Sequence, residues 1–197
     1  LARDPAGVKP LYWARADAGW FWLIFVIGAS TTWIVRDDIR TLWQNRGVRA
    51  QVRTYLVLLP LGLCMMALIR HYAGGSWAGD WLEHYQRTRF FLDHHPYDEI
   101  FIALYKLPAR PPMMNVLAAA YMSQIGDNSF AIFQLIFLLL NLLVVLPCVL
   151  LLPVLGAKHR RFSLAVLTFL VAASPMFMQN LTWTWPRLLT TFYALVG

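Results

Sequence analysis

The 197-residue chain has the length of one ordinary domain, yet 59% of it is hydrophobic and only 14% charged, against roughly 45–50% and about 25% in soluble domains. A soluble fold of this size has too little interior to hide so much apolar surface, so the composition predicts a membrane protein. The net charge of +7 comes from fourteen Arg and three Lys against ten acids, gathered mostly in short segments between apolar runs. That distribution suits topology signals facing anionic lipid better than a nucleic-acid patch.

Residues 1–18, with Pro5, Pro10 and mixed charges, read as an N-terminal segment and not as a signal peptide. Since the sequence starts at Leu1 and stops within the apolar run Leu188–Val196, a piece of a longer polytopic protein is expected. Four runs carry no Asp, Glu, Lys or Arg: Trp20–Val35, Tyr55–Ile69, Phe130–Gly156 and Phe162–Met178. Crossing the hydrocarbon core takes about 20 helical residues, so the third run suffices alone and the others need flanking residues. Pro60 is expected to kink the second helix, and Pro147 and Pro153 the third. Cys64 and Cys148 both lie inside these runs and support neither a disulfide framework nor a zinc site.

The loops set the orientation. Arg36, Arg40, Arg46, Arg49 and Arg53 outweigh Asp37 and Asp38, and Lys158, Arg160 and Arg161 face no acid. In segment 71–112, by contrast, Arg87, Arg89, Lys106 and Arg110 are outnumbered by Asp80, Glu83, Asp93, Asp98 and Glu99. Short Arg/Lys-rich loops stay cytoplasmic, which places 36–54 and 157–161 inside and 71–112 and 179–187 outside. Parity then makes Met113–Ile125 an interfacial helix, closed by a turn at Gly126-Asp127-Asn128. The predicted fold is an all-α polytopic membrane protein with about four transmembrane helices and interfacial helices in a large outer loop. Its divisions are the segment 1–18, two transmembrane helices in 19–70 joined by the basic loop 36–54, the outer loop 71–128, and two transmembrane helices in 129–197 with the start of a further helix.

The chemistry is expected in the outer loop, which holds His71, His84, His94 and His95 interleaved with Trp77, Trp81, Tyr85, Phe90, Phe91 and Tyr97. Asp80 suits an N-cap or first-turn position after a Gly-rich stretch. In a helix that follows, Asp80, Glu83, His84 and Arg87 fall at i, i+3, i+4 and i+7 on one face. Two carboxylates, an imidazole and a guanidinium on one stripe can supply a general base, a metal ligand and an anion contact. The same spacing also describes a solvated face laced by salt bridges. Arg110-Pro111-Pro112 forces an extended entry and then presets the first turn of the next helix, holding a guanidinium where lipid phosphates lie. His94-His95 with Asp98 and Glu99 is a weaker metal candidate, and Asn180-Leu181-Thr182 fits the glycosylation acceptor pattern.

These features form an ordered series: a span; an outer loop opening with Gly79-Asp80 and passing through His84-Tyr85; Arg110-Pro111-Pro112 leading a helix; a Gly turn; a long span; and, after the fourth, Asn180-Leu181-Thr182-Trp183-Thr184-Trp185-Pro186-Arg187. The series resembles the N-terminal part of a GT-C glycosyltransferase, and is similar to the dolichyl-phosphate-mannose–protein mannosyltransferase and lipid A aminoarabinose transferase superfamily. It covers roughly residues 55–197. The resemblance implies transfer of a sugar from a polyprenyl-phosphate donor to a lipid, glycan or protein acceptor on the outer face, with inversion at the sugar carbon. Asp80 holds the position of the family's essential outer-loop acid, which makes it the base, with Glu83 and His84 beside it in the catalytic set. The resemblance assigns Arg87, Arg89, Arg110 and Tyr85 to the substrate, the guanidiniums neutralising the departing lipid phosphate. Two departures are visible: Trp81 follows Asp80 where several members have a second acid, and the run Trp20–Val35 precedes what would be the family's first helix. The cofactor stays open, a divalent metal ion being the candidate, and the high Arg content hints at a GC-rich bacterial source and an inner-membrane, cell-envelope setting. Two alternatives stand beside the enzyme: a transporter or flippase of a lipid-linked sugar, and a non-catalytic assembly subunit docking through 71–112.

Overall fold

The computed structural model describes residues 18–69, 80–93, 95, 100, 113–150 and 160–196, and among them every regular element is a helix. In chain order these are α1 (Ala18–Ile34), α2 (Arg36–Gln44), α3 (Arg46–Leu68), α4 (Asp80–Leu92), α5 (Met113–Ile125), α6 (Phe130–Leu142), α7 (Val145–Leu150), α8 (Arg160–Ala173), α9 (Pro175–Thr182) and α10 (Arg187–Val196). Contacts gather them into two compact units, the first from Leu1–Thr31 and Gly74–Ile136, the second from Thr32–Ala73 and Phe137–Gly197.

Among the described residues, two stretches are long and apolar enough to cross a membrane: α3, with 23 residues, and Phe130–Cys148, with 19. Trp22–Ile34 and Arg187–Val196 are apolar but shorter. Along α1, the side chains of Trp22 through Ile27 are exposed all round the helix, as are Trp33 and Ile34. A helix with exposed apolar side chains on every side is one that a hydrocarbon surrounding would stabilise and water would not.

The segment 36–54, the basic connection between the first two apolar runs, is helical. It folds into α2 and the first turns of α3, because Arg, Leu, Gln and Ala are good helix formers and solvent-facing charge does not oppose a helix. Asn45 alone interrupts it: its backbone is extended (φ −68°, ψ 124°), and its side chain accepts from the Gly47 N–H at 2.7 Å, capping α3. The helix runs unbroken through Pro60.

The third and fourth apolar runs are each broken, and in each case a proline explains where. Pro147 has no N–H to offer the Leu143 carbonyl. That carbonyl is taken instead by the Leu146 N–H at 3.0 Å, and the chain tightens through Leu143 N–H to Leu140 (3.3 Å) and Val144 N–H to Asn141 (3.4 Å). The Leu139 carbonyl at the edge of this break accepts from the Tyr55 hydroxyl of α3 at 3.0 Å, the repair by a neighbouring helix that a broken apolar helix needs. Pro153 lies outside the described residues. In the fourth run Pro175 disfavours helical backbone at Ser174 (ψ 111°), ends α8 at Ala173, and presets the first turn of α9. The Ser174 hydroxyl accepts from the Phe177 N–H at 3.3 Å, so one continuous span over Phe162–Met178 becomes two shorter helices.

The core of the second unit is Leu58 of α3, Leu138 and Leu142 of α6, Val144, Val145, and Met178 and Leu181 of α9. Gly62 permits the close approach: a Cβ there would lie 2.8 Å from Leu138 Cδ1 and 3.3 Å from Leu181 Cδ2. At the heart of this unit Asn141, fully buried, works as a clasp. Its Nδ2 donates to the Trp185 carbonyl (2.9 Å) and the Asn180 carbonyl (3.4 Å), and its Oδ1 accepts from the Leu189 N–H (3.2 Å). One amide thus satisfies the last turn of α9, the connecting turn and the first turn of α10. Asn180 is buried on α9 and its amide donates to the Met176 carbonyl at 2.7 Å, which overturns the glycosylation reading, since an acceptor must be accessible.

Candidate active site

The candidate residues lie in the first unit, where α4 packs along α5. Alanines make that approach possible: Ala118, Ala119 and Ala120 of α5 are buried, and small side chains let two helix backbones come close. Phe90 and Phe91 of α4 close the lower part of the seam on Ala119 and Ala120. α5 has the predicted bounds, and Gly126 ends it with φ 73°, its N–H returning to the Met122 carbonyl at 2.9 Å. Asp127 Oδ1 then accepts from the Ser129 N–H at 2.7 Å, starting α6.

The chain enters α4 at Asp80, in the first turn as expected; the Asp80 side chain is outside what the structure describes. The stripe that follows is not solvated. Glu83 is 7% exposed, His84 9% and Arg87 1%, and Arg87 Nη2 donates to Glu83 Oε1 in a buried ion pair one helical turn long. Taking two such charges out of water costs several kcal/mol per ion unless each is well paired. A face of this kind is laid down for a packed or chemical role, not for solubility.

Two residues that sequence spacing did not single out complete the seam. Asn115 of α5 donates through Nδ2 to the His84 carbonyl at 2.7 Å and to the Thr88 hydroxyl at 3.3 Å, and Thr88 itself donates to the same carbonyl at 2.9 Å. Both are buried. The signal for Asn115 was there: it is the lone amide in an otherwise apolar first half of α5, and an isolated polar group in an apolar helix needs a partner.

The remaining candidates form a second cluster on the neighbouring face. The Tyr85 hydroxyl donates to the Asn128 carbonyl at 2.6 Å, and its ring meets Phe130 and Phe133, each with centroids 5.3 Å away. Arg89 donates through Nε to Asp93 Oδ2 at 2.8 Å and through Nη1 to the Tyr85 oxygen at 3.4 Å. The Asp93 contact first, and the Tyr85 contact after it, hold the guanidinium above its usual, already high value. His95 Nε2 stands 3.8 Å from the same Asp93 oxygen, with its ring stacked on Phe90. The structure thus joins Glu83 with Arg87, and Tyr85 with Arg89, as two separate pairs. Arg110, His94, Asp98 and Glu99 lie outside the described residues. Among the described residues no three His, Cys, Asp or Glu side chains come together as a metal-binding group. Compared with family models, with curated proteins and with solved structures, the chain finds no match.

Proposed function

We propose that this chain is part of a polytopic membrane glycosyltransferase of GT-C type. It moves a sugar from a polyprenyl-phosphate donor to an acceptor at the outer face of a bacterial plasma membrane. The observation that carries the reading is the stripe on α4: a carboxylate residue at the first turn, followed on the same face by a Glu83–Arg87 pair sunk into protein. Buried charge next to an acid at a helix start is an environment that can hold a base and a phosphate in fixed geometry.

In this reading the Asp80 carboxylate takes the proton of the acceptor hydroxyl as its oxygen attacks the sugar carbon. The carbon–oxygen bond to the lipid phosphate breaks, its electron pair leaves with the phosphate, and the configuration inverts. Glu83 holds Arg87, and Asn115 fixes the His84 turn, so that the face carrying Asp80 is rigid. Arg89, which Asp93 and Tyr85 hold in place, and Arg110 are the cations assigned to the departing phosphate. Glu83 is engaged by a guanidinium, and the transfer is written with the Asp80 carboxylate acting directly as the base.

The test is turnover. The whole protein in proteoliposomes is given polyprenyl-phosphate-linked sugar, and the fate of labelled sugar is followed. Label on the acceptor together with free lipid phosphate supports transfer. Label that crosses the bilayer still attached to its lipid makes the protein a flippase. Neither event, in a folded protein, makes it a scaffold.

A further inference from the structure

None of the residues of α2 is buried. With about 3.6 residues per turn, Ile39, Leu42 and Trp43 fall on one face, and Asp37, Thr41 and Gln44 on the other. The apolar three are 42%, 56% and 53% exposed. Arg36 and Arg40 border the apolar face on its Trp43 side, and Asp38 borders it on the Leu42 side. The Arg36 guanidinium sits over the Trp33 ring, 4.6 Å from its centroid, and Arg40 pairs with Asp37 at 3.1 Å. The Arg49 side chain reaches back to the Trp43 carbonyl at 3.4 Å and so closes the helix end.

A nine-residue helix with an open apolar face and no buried residue is not held by its own packing. Its position in the chain says what covers it. α2 joins α1, apolar all round, to α3, long and apolar enough to span, and a link between two membrane-embedded helices lies at the bilayer surface. Its charge says the same. Arg36, Arg40, Arg46, Arg49 and Arg53 stand against Asp37 and Asp38 from the start of α2 through the first turns of α3. A basic amphipathic helix with Trp and Leu on its apolar face suits an anionic lipid surface.

We infer that α2 is an in-plane membrane anchor, with Ile39, Leu42 and Trp43 seated at the acyl boundary and Arg36 and Arg40 on anionic headgroups. The inference rests on the membrane part of the proposed function, but not on its chemistry. Arginine stems extend along apolar surface while their heads reach phosphate, which accounts for their place at the border of the face.

The test places nitroxide labels, one at a time, at Leu42→Cys, Thr41→Cys and Val57→Cys in whole protein whose Cys64 and Cys148 are replaced by Ser. Val57 is an exposed position on α3. The proteins are reconstituted in vesicles of phosphatidylcholine with phosphatidylglycerol, and each label's collisions with oxygen and with a water-soluble nickel chelate are compared. The inference predicts that oxygen dominates at 42 and 57 and nickel at 41, and that the signal at 42 weakens when phosphatidylglycerol is omitted. Nickel dominance at 42 with oxygen dominance at 57 overturns the anchor and leaves the membrane reading intact. Nickel dominance at all three overturns both. A label at 42 shielded from both reagents places protein on this face, and a signal indifferent to phosphatidylglycerol removes anionic lipid as the occupant; either overturns the inference.

Discussion

Replacing Arg87 with Met removes one member of an ion pair whose side chains are 1% and 9% exposed. Glu83 would then keep its charge in a buried position with its guanidinium partner gone. Breaking a buried pair by removing one partner costs about 3–5 kcal/mol, a large part of the roughly 5–15 kcal/mol that holds an ordinary fold. Glu83→Leu should be comparably costly, because it takes away the carboxylate that Arg87 pairs with. The double variant, Glu83→Leu with Arg87→Met, removes both charges and fills the seam with apolar atoms, and it should recover most of the loss, since apolar replacements of whole pairs are often neutral or better. Unfolding in mixed detergent micelles, followed by circular dichroism for the four proteins, gives the cycle directly. A coupling of about 2 kcal/mol or more is expected. Single variants that each cost less than about 1 kcal/mol would refute the reasoning, because they would mean that water reaches the pair. The double variant also separates fold from chemistry: if it is stable yet inactive in sugar transfer, the pair is needed for more than packing.

The two clasping asparagines should behave unequally. Asn115→Leu removes the donor to the His84 carbonyl, but Thr88 still serves that oxygen, so the loss should be about 1 kcal/mol by the same unfolding assay. Asn141→Leu leaves the Leu189 N–H and the Trp185 carbonyl without their side-chain partner in the core. At about 1–3 kcal/mol for each lost buried hydrogen bond, it should be the more harmful by at least about twofold, with faster amide exchange at Leu189. Gly62→Val forces the Leu138 and Leu181 side chains to move from contacts already at 2.8 and 3.3 Å from a Cβ, and a cost of about 1–3 kcal/mol is expected in melting or detergent titration.

Apolar periodicity and length located helices well where no proline intervened: α5 and the Gly126 turn that closes it fall where the pattern puts them, and α1 is offset from its run by two residues at the start. Charge over 36–54 was silent on local structure, because a row of arginines bears on which side of a membrane a segment faces and says nothing against its being helical. The Ser174-Pro175 break was readable from the proline and its preceding residue, yet the unbroken run of hydropathy hid it. Spacing put Glu83, His84 and Arg87 on one face correctly, but not which way that face points. That depends on α5, which is more than twenty residues away in the chain, and on Asn115, whose role exists only once α4 lies beside it. The Asn141 clasp was unreadable for the same reason, since its partners come from around residues 180–189.

The central claim stands or falls on Asp80. The measurement is release of polyprenyl phosphate in proteoliposomes by wild-type protein and by Asp80→Asn, which keeps the side-chain shape and removes the negative charge. Circular dichroism and detergent unfolding establish that both are folded. The account predicts turnover by the wild type and a loss of about 100-fold or more in the variant, about 2.7 kcal/mol of transition-state stabilisation. Equal turnover by the two proteins would contradict it and reduce Asp80 to the residue that starts α4.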